Sequence, residues 1–141
     1  MRPADPTDPT PETTALFEAA RAVRARAYAP YSRFAVGAAL RDETGRVHVG
    51  CNVENAAYPV GTCAEAGAVA AMVAAGGRSI RAILVIGDGP EPVTPCGACR
   101  QRIREFAAPD TPVHVADPSG LRLTLTLEAL LPASFGPGHL S

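Results

Sequence analysis

The chain has no lysine: all 13 of its basic residues are arginine. That excludes a Schiff-base lysine and the lysine of a phosphate-binding loop. Charge of one sign is lacking too, because 14 acidic residues bring the formal net charge to −1. Proteins that grip a nucleic-acid backbone carry a basic surplus, so a polynucleotide partner is not expected. Apolar runs are too short and too interrupted to cross a bilayer. The polar, proline-rich start lacks the apolar centre of a secretory signal and reads as a mobile tail over residues 1–11. No membrane association and a cytoplasmic location are therefore expected. The length of 141 residues fits a single domain over residues 12–141, able to bury a core without disulfide staples. The four cysteines, Cys51, Cys63, Cys96 and Cys99, are then better read as metal or catalytic groups than as two disulfides.

Periodicity divides the rest of the chain. Leu16, Ala19, Ala20, Val23 and Ala27 have helical spacing between Thr13 and about Tyr28, with Pro30 closing the segment. Residues 36–41 and 46–51 read as an antiparallel strand pair around a turn at Glu43, Thr44 and Gly45. Residues 52–62 read as a loop, and 63–75 as an alanine-rich helix stopped by Gly76 and Gly77. The nearly all-apolar run 80–86 suits a central strand. A helix over 97–106, strands over 112–116 and 121–126 and a helical turn over 127–131 complete an α-β-β-α-β-α-β-β order. The expected fold class is α/β, a mixed five-stranded sheet with helices packed on it.

Two short pieces carry the chemistry, and each opens a helix. Cys96 and Cys99 stand three apart at a helix start, on one face, close enough to share a metal. First-turn N–H groups are unsatisfied and partially positive, which favours a thiolate there. Cys63 opens the other helix and can add a third thiolate. Three protein ligands leave one tetrahedral position open, the pattern of a catalytic zinc with water in the fourth place. Glu65 lies two residues on, placed to exchange a proton with that water. Each piece also has a plainer reading. Thr62 and Glu65 match a capping box, Cys96 and Cys99 a structural zinc knuckle or a redox pair, and Cys63 a buried small hydrophobe. Their coincidence around a credible strand matches a zinc-deaminase signature with cysteine as the first ligand. Cys51 reads as a packed thiol. His48, His114 and His139 share no ligand spacing, and His48 and His114, set between valines on strands, are expected to face solvent.

Further motifs extend the match. They are Tyr31-Ser32-Arg33-Phe34-Ala35-Val36-Gly37, Gly50-Cys51-Asn52-Val53-Glu54-Asn55, Tyr58-Pro59 with Gly61, the Cys63-Ala64-Glu65 triplet, Pro95 through Gln101, and Leu130-Leu131-Pro132 with Phe135-Gly136-Pro137. Together they resemble the short, three-cysteine cytidine deaminase family from about Tyr31 to Pro137. The resemblance implies a three-layer α-β-α cytidine-deaminase-like fold with helices on both sheet faces. It implies one Zn2+ per chain on Cys63, Cys96 and Cys99, with Glu65 as the catalytic acid–base. Phe34 would stack on the pyrimidine, Asn52 and Glu54 would hold the ribose hydroxyls, and the Ala64 N–H would bind the base carbonyl. Tyr58 and Phe135 would reach the site from neighbouring subunits of a homotetramer. The implied reaction is hydrolytic deamination of cytidine and deoxycytidine in pyrimidine salvage.

One position departs from the pattern. Many family members carry arginine after the Cys-Ala-Glu triplet, and here Ala66 stands there. Zinc with three thiolates is net negative and activates water poorly unless positive groups offset it. The two helix N-termini, helped by another arginine such as Arg100, are expected to supply the offset. Three other functions compete with nucleoside deamination. One is a deaminase of a modified cytosine nucleoside such as an aminoacylnucleoside antibiotic, against which Asn52 and Glu54 argue for an ordinary ribose. Another is a non-catalytic domain with structural zinc, which would want a fourth protein ligand. The last is a polynucleotide editor, disfavoured by the charge balance.

Overall fold

A computed structural model describes residues 9–141. Most of the expected tail, residues 1–8, lies outside the described residues. Pro11, taken as the tail's end, is the first residue of helix α1 (Pro11–Arg24), capped by Thr10, whose side chain accepts from Thr13 N–H at 3.2 Å. Proline suits that position because its missing N–H would have had no helical partner. α1 stops at Arg24, short of the expected Tyr28. Tyr28 instead bridges Val53: its N–H donates to Asn52 O (3.0 Å) and its carbonyl accepts from Glu54 N–H (2.8 Å). A tertiary backbone pairing thus overrides a run of good helix formers.

The remaining elements are β1 (Val36–Asp42), β2 (Val47–Cys51), α2 (Ala64–Ala74), β3 (Ile80–Gly87), α3 (Gly97–Phe106), β4 (Pro112–Asp117), β5 (Gly120–Thr126) and a short α4 (Leu127–Leu130). Two 3-10 turns add to the expected elements, Tyr58–Val60 inside the expected loop and Pro137–His139 near the chain end. The strands form one sheet in the order β2-β1-β3-β4-β5. β3 and β4 are parallel, and the other neighbours are antiparallel. The sheet is mixed and five-stranded, as expected.

Strand alternation sends side chains to both faces, and each face is covered. On one, Leu16 and Ala20 of α1 pack with Ala39, Leu84, Ile86 and Ala116. On the other, Ala64, Ala68 and Met72 of α2 and Ile103 of α3 pack with Ala38, Leu40, Ile83, Val85 and Val113. The α-β-α layering follows. β3 contributes to both clusters, which accounts for its nearly unbroken apolar sequence.

Small residues set how closely α2 sits. At Gly50 a Cβ would collide with backbone atoms of Ala64, Gly67 and Ala68, so β2 lies directly against the first turns of α2. The β1–β2 turn is held by Asp42, which is buried. Its Oδ1 accepts from Thr44 N–H (2.8 Å), the Thr44 hydroxyl (2.6 Å) and Arg46 N–H (3.1 Å), and Oδ2 meets His48 Nε2 at 2.7 Å. The Thr44 hydroxyl and His48 foremost hold this carboxyl far below the usual range, against the cost of burial. His48 is accordingly not solvent-facing: its side chain is 9% exposed. His114 is half-buried, with Nδ1 2.8 Å from Thr124 Oγ1, and burial lowers its pKa. The register places His48 beside Leu40 on the face that α2 covers and His114 beside Leu84 on the face that α1 covers, and a polar side chain of the neighbouring strand takes up each ring.

Replacing Gly50 with alanine should therefore push α2 off the sheet. We expect a loss of about 1–3 kcal/mol or more in denaturant unfolding, together with weakened metal retention, because α2 carries Cys63.

Candidate active site

The site follows from chain direction. α2 runs into β3, and β3 runs into α3, so the N-termini of both helices lie at the C-terminal end of β3. The register brings three more chain segments to that end. Val36, the first residue of β1, pairs with Gly87, the last of β3, and Gly37 pairs with Cys51, the last of β2. The loops before β1 and after β2 and β3 therefore surround the two helix starts.

Cys63 is the N-cap residue of α2 and Cys96 that of α3, neither with a side-chain cap bond. Cys99 follows in the first turn of α3, fully buried. The three sulfurs lie within 4.8 Å of one another, and all four cysteines are free thiols. Burial pushes the Cys63 and Cys99 thiols up. Cys96, partly desolvated, is nonetheless held below the ordinary thiol value by the Cys99 backbone N–H and by hydrogen bonds with the other two thiols. Three thiols gathered in one place, two of them reluctant to ionise alone, become thiolates together only beside a cation. Cys51 stands apart, half-buried at the end of β2.

Glu65 is buried and lines the same cleft. The capping-box reading fails on geometry. Cys63, not Thr62, is the N-cap, so Glu65 is the second helical residue rather than the third that such a box requires. Burial pushes its carboxyl above the ordinary carboxylate value, against its own backbone N–H, a Cys99 hydrogen bond and the charge of Arg102.

The cleft in front of these groups has a volume of about 680 Å3, ample for a nucleoside-sized ligand. Its lining includes Phe34, Asn52, Glu54, Tyr58 and Ala64. Ala64 opens α2, so its N–H has no intrahelical acceptor. Asn52 and Glu54 also serve the wall itself. Asn52 Oδ1 accepts from Val36 N–H (2.9 Å), and its amide donates to Phe34 O (2.8 Å). Glu54 accepts from Tyr31 N–H (2.9 Å), Ser32 N–H (3.1 Å) and the Ser32 hydroxyl. The Ser32 bonds hold its pKa down. Tyr58 lines the cleft of its own chain and meets Tyr31 edge-on, with ring centroids 6.1 Å apart. Phe135 is not part of this lining; its exposed ring stacks on His139 at 5.0 Å. Val85, Val93 and Thr94 also line the cleft, positions that strand and loop patterning alone did not single out.

Arg100 does not supply the expected counter-charge. Its guanidinium is taken up by Pro95 O (2.7 Å), Leu130 O (2.8 Å) and Thr94 Oγ1 (3.3 Å), tying the loop before α3 to α4. Arg102 instead donates to Cys99 Sγ at 3.5 Å. The spacing of Cys99 and Arg102 could have shown this, since residues three apart share a helix face.

The model of the cytidine and deoxycytidylate deaminase zinc-binding region matches residues 11–115. The chain belongs to this deaminase family. A cytidine deaminase of Sporosarcina psychrophila is 44% identical over 126 residues, covering 89% of this chain and 93% of the relative. One of Halalkalibacterium halodurans is 43% identical over 120 residues, with 85% and 91% covered. Among solved structures, the cytidine deaminase of Burkholderia pseudomallei superposes with a TM-score of 0.81 at 46% identity, covering 86% of this chain and 98% of the other. That of Mycobacterium tuberculosis gives 0.73 at 40% identity, with 87% and 96% covered.

Family and donor set agree on zinc. Three free thiols suit its preference for sulfur, and tetrahedral Zn–S bonds place sulfurs about 3.8 Å apart, compatible with three sulfurs that all lie within 4.8 Å of one another. Among the described residues no fourth His, Cys, Asp or Glu joins the group, so one position stays open, unlike a structural zinc. Elemental analysis of the purified protein should find about one zinc per chain. Cys99→Ala should lose most of it, whereas Cys51→Ala should retain it.

Proposed function

We propose that this protein is a cytidine deaminase, which hydrolyses cytidine and deoxycytidine to uridine and deoxyuridine with release of ammonia. The carrying observation is the buried carboxylic acid Glu65 in a nucleoside-sized cleft beside a three-thiol zinc site with an open position.

Bound zinc supplies Lewis acidity that makes water nucleophilic at neutral pH. The chain's own residues do the rest. Phe34 lies against the face of the base, and the free Ala64 N–H donates to the base carbonyl, fixing C4 toward Glu65. Asn52 keeps a second amide hydrogen, and Glu54 keeps unused lone pairs, for the sugar hydroxyls. Glu65 accepts a proton from the attacking water as the carbon–oxygen bond forms at C4, and delivers it to ring nitrogen N3. It then takes the proton of the new C4 hydroxyl and passes it to the 4-amino group. The C4–N bond breaks, ammonia leaves, and the oxygen remains as the carbonyl of uracil. A carboxyl raised by burial suits both directions of transfer.

The same reading takes residues 12–141 as one domain and the working protein as a cytoplasmic homotetramer in pyrimidine salvage. The exposed apolar side chains of Tyr31, Tyr58, Val60 and Phe135 support assembly. In it, Tyr58 and Phe135 would meet neighbouring sites. Among the described residues no helix is long and apolar enough to cross a membrane.

Ultraviolet absorbance should fall as the wild type consumes cytidine. Glu65→Gln should keep its zinc but lose about 100- to 10,000-fold in turnover; full activity in that variant would refute the role given to Glu65. Glu54→Ala should raise the KM for cytidine about tenfold or more, with a smaller change in kcat.

A further inference from the structure

A zinc ion on three thiolates has a net charge of −1, so its ability to polarise water depends on nearby positive charge. Two helix N-termini aim at this cluster, but the position after Glu65 offers only the methyl group of Ala66. The arginines nearest in sequence differ sharply in what they touch. Arg100 is engaged by neutral oxygens of the loop before α3 and of α4. Arg102 stands three residues after Cys99, and helical side chains slant back toward the helix start. Its guanidinium accordingly lies over Cys99, with Nη1 3.5 Å from the sulfur. That sulfur is fully buried and the guanidinium is exposed on its outer side. Solvent therefore weakens the longer-range field of Arg102, and its influence is concentrated in the direct N–H···S contact.

We propose that Arg102 is the counter-charge of the zinc centre, a positioning residue that acts through Cys99 and moves to α3 the role an arginine at position 66 would have on α2. The contact withdraws electron density from one thiolate, leaving the metal a stronger Lewis acid. Among the described arginines it is the one whose guanidinium reaches a ligand sulfur. The proposal rests on the zinc deaminase reading of this site.

The test uses full-length protein carrying Arg102→Met, Arg102→Lys, and Arg102→Met combined with Ala66→Arg, each in zinc and cobalt forms. Cobalt reports on the sulfurs directly, because its thiolate-to-metal charge-transfer band moves to lower energy when the thiolates become more electron-rich. Arg102→Met should keep full metal content and its melting temperature, lose about 10- to 100-fold in kcat with little change in KM, and show the band at lower energy. Arg102→Lys should recover part of both the rate and the band position, and the double variant should recover both from the other helix. An unmoved band in Arg102→Met overturns the proposal whatever its rate. So does a rate loss that neither Arg102→Lys nor the added Ala66→Arg repairs in a folded, metal-loaded protein. The band is measurable without turnover. An inactive wild type would thus refute the deaminase reading, while the band would still decide the role of Arg102.

Discussion

The whole arrangement depends on two helix N-termini meeting at one end of a single strand. β3 is central, buried on both faces, and flanked in sequence by the two helices that carry the cysteines. Chain reversal at each of its ends brings both helix starts to the same edge of the sheet. There the unpaired N–H groups and aligned peptide dipoles favour negative charge. It is at this end that the fold gathers three thiols and a buried carboxyl group. The tight seat of α2 on Gly50 then fixes Cys63 relative to the strand ends that form the cleft.

Much of this is legible in the residues. α3 spans the predicted 97–106, and the strand limits agree within a residue or so, because Gly, Pro and apolar alternation mark them strongly. Both cysteine-led helix starts are visible as motifs. What stays hidden comes from contacts between distant segments. α1 ends early because Tyr28 finds Val53 in another loop. His48 is covered because Asp42, at the end of the neighbouring strand, reaches it. Thr62 and Glu65 satisfy a capping pattern, yet the helix begins one residue later and frees the carboxylate for the cleft. Arg100 is drawn away from the sulfurs by Leu130, thirty residues on, whereas the reach of Arg102 to Cys99 is local and is legible in their spacing of three.

The polar wall of the cleft has a double duty. Asn52 and Glu54 follow the end of β2 and also hold the loop that presents Phe34. On the proposed reading, in which these two residues also hold the sugar, sugar recognition and the placement of the aromatic ring are mechanically joined: whatever displaces one shifts the other. A carboxylate whose pKa is held down by serine hydrogen bonds stays charged across the neutral range, so the joint does not loosen with modest changes in pH.

The spacing of the cysteines along the chain has its own consequence. Cys63 on one side, and Cys96 and Cys99 on the other, bracket all of α2 and β3. A metal held by all three is a cross-link that closes this stretch into a ring, restricting the unfolded chain much as a disulfide would. Because the folded cluster binds it more tightly than scattered thiols could, the ion adds to folding stability by mass action. The protein's robustness is thus tied to the supply of free zinc, and the same atom that serves chemistry acts as the clasp of its central α-β-α unit.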